Sequence, residues 1–253
     1  MKKKVGLIGY GTIGKYIFEK LSRDGVEFAF IFNRSAAGDN QADRLVTNSI
    51  EEMRQQCAAG VDLVIEAATA QAVLDLAPAI LPFSDMAVFS ATAFADQDFL
   101  NRMQHLCQTH RRRLYIPHGA IVGLDGIVDG QEVLQAVTVT TTKRPANLGR
   151  TDTGRTILYE GPTREVCKLY PRNVNVHAAI ALAGLGFDET RSIIISDPGA
   201  PGNTHCIEVQ AQGCTFKIDV VSEPGSGVTG AYTPVSAYSS IRRILSRQGL
   251  AIL

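Results

Sequence analysis

Three glycines near the start of the chain have the spacing of a phosphate-binding turn. Gly9, Gly11 and Gly14 follow a short apolar run at Gly-x-Gly-x-x-Gly spacing and precede helix-forming residues. The first glycine would permit a tight turn, the second has no Cβ to block a pyrophosphate, and the third would let a helix pack closely on the strand. The helix start would then offer N–H groups to the phosphates. We therefore predict a dinucleotide site that includes Gly9, Gly11, Thr12, Ile13 and Gly14.

The residues after the second predicted strand bear on which dinucleotide binds. A carboxylate about 20 residues beyond the glycines is typical of NAD sites, where it binds the ribose 2′-hydroxyl. This chain has Asn33 there, followed by Arg34. Asparagine can still hydrogen-bond the ribose and does not repel a 2′-phosphate; Arg34 could pair with that phosphate or be a solvated loop residue. We expect the cofactor to be NADP or NAD.

Three further segments place polar side chains among small or apolar residues. They are residues 117–125, 170–177 and 197–205. The first follows a predicted strand, and ligands of doubly wound folds bind beyond the carboxyl ends of the strands, so it should line the nicotinamide crevice. The second precedes an alanine-rich helix that Asn173 or Asn175 could simply cap. The third is a rigid turn that leads to His205 at the start of a strand.

These segments, with the glycine turn and one more motif, resemble a known family. The motifs are Ser-Ala-Thr-Ala-Phe-Ala-Asp at 90–96, Gly-Ala-Ile-x-Gly-Leu-Asp at 119–125, Pro-Arg-Asn-Val-Asn-Val at 171–176, and Asp-Pro…Asn-x-His at 197–205. They are similar to those of L-aspartate dehydrogenases, from the first strand to the last helix. The resemblance implies NAD(P)-dependent oxidation of L-aspartate to iminoaspartate, which hydrolyses to oxaloacetate and ammonia. It also implies a homodimer and a link to NAD biosynthesis.

The resemblance also implies roles for individual residues. The family's catalytic histidine falls on His205, and two nucleotide contacts fall on Ala120 and Asn175. Dehydrogenation of an amine requires loss of a hydride from Cα and of a proton from nitrogen, and a histidine with a pKa near 6.5 can accept and return protons at neutral pH. A histidine with a purely structural role is the alternative for His205.

A dicarboxylate substrate would need cations and polar groups around it. Arg172 and either Lys143 or Arg144 are candidate cations, because arginine suits bidentate carboxylate recognition. The residues that we assign to substrate binding are His118, Arg172, Asn173 and Thr233.

Two positions depart from the family's pattern. His118 stands where the family usually has serine, and residues 228–236 lack the lysine of the family's Asn-Pro-Lys-Thr-Ser, although Thr233 keeps a hydroxyl. The fold and redox class are unaffected. A dehydrogenase or imine reductase for another amino acid, and a non-catalytic NAD(P)H sensor, therefore stay open as alternatives.

The elements that must position these residues alternate in the first half of the chain. Strands are predicted at 5–8, 28–32, 63–66, 86–90 and 114–116, and helices at 13–22, 49–57, 71–76 and 96–109. This order predicts an α/β fold with a doubly wound (Rossmann) parallel sheet.

The second half is predicted to form an α+β substrate and dimerisation domain. Its strands are expected at 136–142, 192–195, 206–210 and 215–221, and its helix at 175–183. A last helix over 236–246 is expected to return to the first domain. The predicted domains are residues 1–118 with 236–253 for the dinucleotide, and 119–235 for the substrate.

Composition bounds the partners. Lys+Arg and Asp+Glu both number 25, so no net field favours nucleic acid, and no apolar run is long enough to span a membrane. The five cysteines contain no Cys-x-x-Cys pair, which favours reduced thiols in a cytoplasmic protein. Cys206 adjoins His205 without a second ligand cluster, so we expect no metal. The expected partner is a small amino acid.

Overall fold

A computed structural model describes residues 3–35, 38, 40–223 and 230–246 of the 253-residue chain. Two compact units make up the chain. The first runs to Pro117 and resumes at Pro234, and the second runs from His118 to Thr233. None of the helices in these described ranges is both long enough and apolar enough to cross a bilayer.

The first unit contains a six-stranded parallel sheet in the order β3-β2-β1-β4-β5-β6. The strands are β1 Lys4–Ile8, β2 Glu27–Phe32, β3 Val46–Thr47, β4 Leu63–Glu66, β5 Asp85–Val88 and β6 Leu114–Tyr115. The helices between them are α1 Thr12–Arg23, α2 Asn40–Asp43, α3 Ile50–Ala58, α4 Ala70–Ile80 and α5 Gln97–His110, with a short 3-10 turn at Ala91–Ala95. The strand order reverses direction at β1 and β4, which confirms the predicted doubly wound fold.

Burial explains why these apolar runs form a central sheet. All four residues of β4 are buried, which requires cover on both faces. On one face, Ile17 and Leu21 of α1 pack with Leu7 of β1. The same cluster receives Ala237 and Ile241 from the last helix, α10, at Tyr232–Leu245. This helix begins four residues before its predicted start at residue 236. The part of the predicted dinucleotide domain beyond residue 246 lies outside the described residues.

A buried carboxylate joins two strand ends of the first sheet. Glu66, the last residue of β4, accepts hydrogen bonds from the Ala68 N–H at 2.6 Å, the Ser90 N–H at 3.0 Å and the Ser90 hydroxyl at 2.7 Å. Burial raises the pKa of Glu66, and the donors from Ser90 and Ala68 oppose that rise. These bonds fix the chain beyond β5 relative to the end of β4.

The second unit has a five-stranded mixed sheet in the order β11-β10-β7-β9-β8. The strands are β7 Leu134–Lys143, β8 Thr156–Pro162, β9 Arg191–Ser196, β10 Asn203–Ala211 and β11 Cys214–Ser222. The helices are α6 Leu124–Asp129, α7 Thr163–Leu169, α8 Asn175–Ala183 and α9 Gly186–Glu189. Only β7 and β9 pair in parallel; the other neighbours are antiparallel. The predicted strands and α8 are present, whereas β8 and the shorter helices were not predicted.

The core of the second unit lies between one face of its sheet and α8. A cluster with Ile180 of α8 contains four residues of the adjacent strands β7 and β10, namely Val137, Val139, Ile207 and Val209. The same face continues along both strands into polar residues, where the candidate catalytic histidine is found.

Candidate active site

The turn after β1 has the steric features that a dinucleotide requires. Gly9 has φ of +88°, and a Cβ there would lie 2.7 Å from the Ala68 methyl carbon. A Cβ on Gly14 would collide with the carbonyl oxygen of Gly9. A Cβ on Gly11 would meet nothing within 4 Å. Packing therefore accounts for the first and third glycines, and only the second borders open space that a pyrophosphate could enter.

The start of α1 adds donors to this turn. Gly11 is the N-cap residue and has no side chain to cap the helix, and the first turn contains no acidic residue. The first hydrogen bond within the helix runs from the Lys15 N–H to the Gly11 carbonyl at 2.8 Å. The backbone N–H groups of Thr12, Ile13 and Gly14 precede that bond and point along the positive end of the helix dipole, so the turn fits a dinucleotide.

Asn33 and Arg34 follow β2, at the side of the turn where the ribose is expected. The Asn33 N–H donates to the Thr47 carbonyl at 3.0 Å, and its side-chain amide donates to the Ser35 carbonyl at 2.9 Å. These two bonds orient the amide, whose Oδ1 is the atom able to accept from a ribose hydroxyl. Arg34 is exposed, as a residue that contacts a 2′-phosphate must be before the ligand arrives.

In the second unit, the buried face of the sheet changes from apolar to polar along the adjacent strands β7 and β10. Val139 is followed on the same face by Thr141 and Lys143 of β7. On β10 the order towards the start of the strand is Val209, Ile207 and then His205, which pairs with Thr141. We call Thr141, Lys143, His177, Ser192 and His205 the polar cluster; all five are buried.

His205 is only 4 % exposed, and its Nδ1 lies 2.8 Å from the Thr141 hydroxyl. Burial, and after it the charge of Lys143, lowers the pKa of His205 to about 3. The expectation of a pKa near 6.5 is therefore wrong for the unliganded protein, because burial is not visible in a sequence. At neutral pH this imidazole is a neutral base.

Lys143 is the cation of the polar cluster. Its ammonium donates to the Asn173 carbonyl at 3.3 Å and to Asn173 Oδ1 at 3.0 Å. In the part of the chain that the structure describes, no carboxylate pairs with it. Burial lowers the pKa of Lys143 to about 8, so the group is still mostly protonated at neutral pH. A buried ammonium that lacks an ionic partner favours an anionic ligand.

The other predicted substrate residues lie in several places. Asn173 contacts the polar cluster through Lys143, whereas Arg172 is exposed. Thr233 is buried, and its N–H donates to the Gly230 carbonyl. His118 Nδ1 donates to the Ile121 carbonyl at 2.6 Å. Among the described residues, no hydrogen bond joins Arg172 or Thr233 directly to His205.

The two residues predicted to contact the nucleotide, Ala120 and Asn175, are half-buried. Ala120 lies in the turn that the His118 side chain closes, and Asn175 is the first residue of α8. The alternative in which Asn173 or Asn175 simply caps this helix is wrong: Val174 is the N-cap residue, and no side chain caps the helix. Asn173 instead accepts hydrogen bonds from Lys143 and is therefore tied to the polar cluster.

Sequence reasoning missed several members of the polar cluster. Thr141, His177 and Ser192 were not singled out, and Lys143 was only one of several cations. The signal that could have found Lys143 is the alternation of β7, since Lys143 lies an even number of residues from both Val137 and Val139 and so shares their face. Nothing comparable marks His177, whose role depends on tertiary contacts. In the described residues, no group of three or more metal-ligating side chains comes together.

The glycine geometry on a doubly wound sheet defines the class of protein as dinucleotide-binding. Residues 9–117 match the model of the homoserine dehydrogenase NAD binding domain, and residues 127–244 match that of the aspartate dehydrogenase C-terminal region. L-aspartate dehydrogenase of Archaeoglobus fulgidus is 35% identical over 98% of this chain and 99% of its own. That of Methanosarcina barkeri is 34% identical over 96% and 97%. The chain therefore belongs to the aspartate dehydrogenase family.

Structure comparison agrees with this assignment. The crystal structure of aspartate dehydrogenase from Thermotoga maritima superposes with a TM-score of 0.82 at 26% identity, covering 99% of this chain and 100% of that one. The resemblance predicted from the motifs is thus confirmed, and NAD or NADP is the cofactor. The glycine turn and the residues after β2 are the groups that would hold it.

Two alanine substitutions should separate packing from cofactor binding in the glycine turn. Gly14→Ala is expected to destabilise the protein by about 1–3 kcal/mol, because overpacking against the Gly9 carbonyl outweighs the better helix propensity of alanine. Gly11→Ala should destabilise the protein by no more than about 1 kcal/mol, because alanine is a poorer N-cap residue than glycine, but it should weaken NADPH binding at least about 10-fold, since its methyl fills the open space. Urea unfolding and NADPH fluorescence titration measure the two effects. Equal NADPH affinity in Gly11→Ala and wild type would contradict the assignment.

Acid should destabilise the protein through its buried imidazoles. An unfolded histidine titrates near 6.5, whereas burial lowers the pKa of His205 to about 3 and that of His177 well below 6.5. Below about pH 6.5 the unfolded chain binds protons that the folded chain does not, so the free energy of unfolding decreases as the pH is lowered. The two groups together set a maximum slope of about 2.7 kcal/mol per pH unit. Urea unfolding between about pH 7.5 and pH 5 measures it.

The matched control for this slope is His205→Gln, which removes one of the two groups. Its slope should be smaller by at most about 1.4 kcal/mol per pH unit. Glu66, whose pKa is raised by burial, acts in the opposite direction but is common to both proteins and cancels in the comparison. Identical slopes would mean that His205 titrates normally in the folded state.

Proposed function

We propose that this protein oxidises L-aspartate with NAD(P)+ to iminoaspartate, NAD(P)H and a proton, and that water then converts iminoaspartate to oxaloacetate and ammonia. The observation that carries the proposal is that a neutral buried His205 lies on the same sheet face as a buried Lys143, whose charge it feels and which lacks an ionic partner among the described residues. Such a pair suits a substrate that brings both a carboxylate and an ammonium proton to be removed. Membership of the aspartate dehydrogenase family supports aspartate as that substrate.

In this mechanism Lys143 binds one substrate carboxylate. Its ammonium is held between the two oxygens of Asn173 and is protonated at neutral pH, so the incoming carboxylate supplies the missing negative charge. The Coulomb attraction acts in a site from which water is largely excluded, where it is stronger than at the surface. Lys143 thereby orients the substrate relative to His205.

His205 then accepts the proton of the substrate ammonium at Nε2. Bound NAD(P)+ supplies the acceptor for the hydride that leaves Cα. The negative charges of a bound dicarboxylate raise the pKa of His205 from its unliganded value, because they favour the imidazolium. The protonated ring can afterwards return its proton while water adds to the imine.

The remaining assignments are part of the same proposal. Arg172, Asn173, His118 and Thr233 are assigned to the substrate because of their chemistry and position, and Ala120 and Asn175 are assigned to the nucleotide by family resemblance. We also propose a cytoplasmic homodimer whose iminoaspartate feeds NAD biosynthesis. The first unit would serve as the dinucleotide domain and the second as the substrate and dimerisation domain.

The activity test uses variants of the two central residues. With aspartate and NADP+, His205→Gln should lower kcat by about 10²–10⁴, since it removes the base. Lys143→Met should lower kcat/KM for aspartate by about 10–10², mainly through KM, since it removes a charged hydrogen bond. Lys168→Met, at an exposed lysine of α7, is the matched control and should keep wild-type kinetics. The rate is followed by the absorbance of the reduced nicotinamide.

A substrate panel distinguishes this function from the alternatives. Turnover of another amino acid but not of aspartate would assign the site to a different substrate, with His118 as the first residue to examine. NADPH binding without turnover of any amino acid, or of any oxo acid with ammonia, would indicate a sensor. An unchanged KM in Lys143→Met would contradict the carboxylate assignment even if aspartate is turned over.

The choice between cofactors is expected to depend on Arg34. Arg34→Ala should weaken NADP+ binding by about 10-fold and leave NAD+ within about 2-fold, because only NADP+ carries the 2′-phosphate that a guanidinium can pair with. Kd values for both oxidised cofactors, measured by calorimetry, test this. Arg23→Ala, at the exposed end of α1, is the control for loss of one positive charge. Equal weakening of both cofactors by Arg34→Ala would show that this residue does not discriminate between them.

A further inference from the structure

We propose that a chain of buried hydrogen bonds fixes the tautomer of His205, so that Nδ1 carries the hydrogen and Nε2 is presented as the proton acceptor. The chain runs from the Thr190 carbonyl through Thr163, Ser192, His177 and Thr141 to His205. This inference rests on the proposed function, in which His205 is the base. The intervening side chains are positioning residues, since they act through His205.

The direction of the chain is set at its far end. The Thr163 hydroxyl lies 2.9 Å from the Thr190 carbonyl oxygen, which can only accept, so Thr163 must donate there. A hydroxyl has one hydrogen. At the 2.7 Å contact between Thr163 and Ser192, the hydrogen must therefore come from Ser192.

The next link determines the tautomer of His177. The Ser192 hydrogen is already used, so the 2.9 Å contact between His177 Nδ1 and the Ser192 hydroxyl needs a hydrogen on Nδ1. His177 is fully buried, and burial together with the nearby His205 and Lys143 holds its pKa well below the usual value. A neutral imidazole has one N–H, and Nε2 of His177 is therefore an acceptor.

The last two links carry the same direction to His205. The Thr141 hydroxyl lies 2.7 Å from His177 Nε2 and must donate to it. Thr141 then has no hydrogen left for its 2.8 Å contact with His205 Nδ1, so His205 donates. The ring is neutral, which leaves the lone pair on Nε2.

This polarity matters for the reaction because the other tautomer could not accept a proton at Nε2. Reversing it would require every hydrogen in the chain to move and would leave the Thr163 contact with the carbonyl without a hydrogen. All of these side chains are buried, where an unpaired donor or acceptor is costly. Protonation of Nε2 requires no such rearrangement, because His205 keeps its donation to Thr141.

The chain also ties His205 to four other elements. Thr163 begins α7, Ser192 lies on β9, His177 lies on α8 and Thr141 lies on β7. The orientation of the base is thus determined by tertiary packing of the second unit rather than by the local conformation of β10.

The direct test is the tautomer itself. Imidazole nitrogen chemical shifts of the ¹⁵N-labelled full-length protein, with NADP+ bound, distinguish Nδ1–H from Nε2–H. Signals are assigned by comparison with His205→Gln and His177→Gln. The expected result is Nδ1–H for both rings at neutral pH. An Nε2–H tautomer at either ring would overturn the proposal, and this readout does not depend on turnover.

Thr141 provides the matched pair of variants. Thr141→Val removes the hydroxyl but keeps the shape, so His205 should become a mixture of tautomers, with kcat lowered by about 10–10² and KM for aspartate within about 2-fold. Thr141→Ser keeps the hydroxyl and should retain the tautomer and most of kcat. Thermal unfolding verifies that both variants are folded. A wild-type kcat in folded Thr141→Val would overturn the proposal.

The two proposals fail in different ways. If no amino acid is turned over but His205 is in the Nδ1–H form, the proposed function fails and the hydrogen-bond chain stands. If aspartate is oxidised but the tautomer is reversed, the proposed function stands and the hydrogen-bond chain fails.

Discussion

Exclusion of water from the polar cluster is the constraint on which the second unit of this protein depends. In water, His205, His177 and Lys143 would be ordinary titratable groups. Here burial lowers the pKa of all three, so the two imidazoles are neutral. Among the described residues, the Lys143 ammonium donates to the two oxygens of Asn173. Every donor must then find an acceptor within the protein, and the resulting hydrogen bonds have one direction. The buried ammonium lacks an ionic partner among the described residues, and under the proposed function a dicarboxylate would supply that charge.

The nucleotide half uses a different principle, the absence of side chains. The backbone comes so close at Gly9 and Gly14 that a methyl group would collide with neighbouring atoms, and this closeness places the open space at Gly11. Electrostatics enters through the start of α1 and through Glu66, whose carboxylate holds the chain after β5 by two bonds from Ser90. Substitutions in this half are therefore governed by volume, whereas those in the polar cluster are governed by hydrogen bonding.

The features that were predicted from the sequence are those with local signals. The apolar runs of β1, β2, β4 and β5, each near a turn or a helix, were enough to predict a doubly wound sheet. Strand β8 was missed because none of its residues is buried, so it lacks an alternation of apolar residues. The choice between Lys143 and Arg144 could not be made, since neighbours on a strand face opposite sides and the sequence does not say which side is buried.

Tertiary effects account for the errors at the site. The pKa of His205 was misjudged because it depends on α8 and the sheet excluding water, and His177 looked ordinary within an alanine-rich helix. Asn173 was considered as a cap because its position before α8 suits one, yet it binds Lys143 from β7. Each error concerns a residue whose partner is distant in sequence, whereas the motifs quoted for the family resemblance are local and could be recognised directly.

The return of α10 to the first unit has a consequence for how the protein is made. The first unit is built from two stretches of chain, and the whole second unit is inserted between them. A ribosome finishes the glycine turn and all six strands of the first sheet long before it makes Ala237 and Ile241, which pack with Ile17 and Leu21. Until then these side chains of α1 lack part of their cover. The nascent protein is thus expected to complete the second unit before the first, whose glycine turn gains its last packing partners only when α10 has been made.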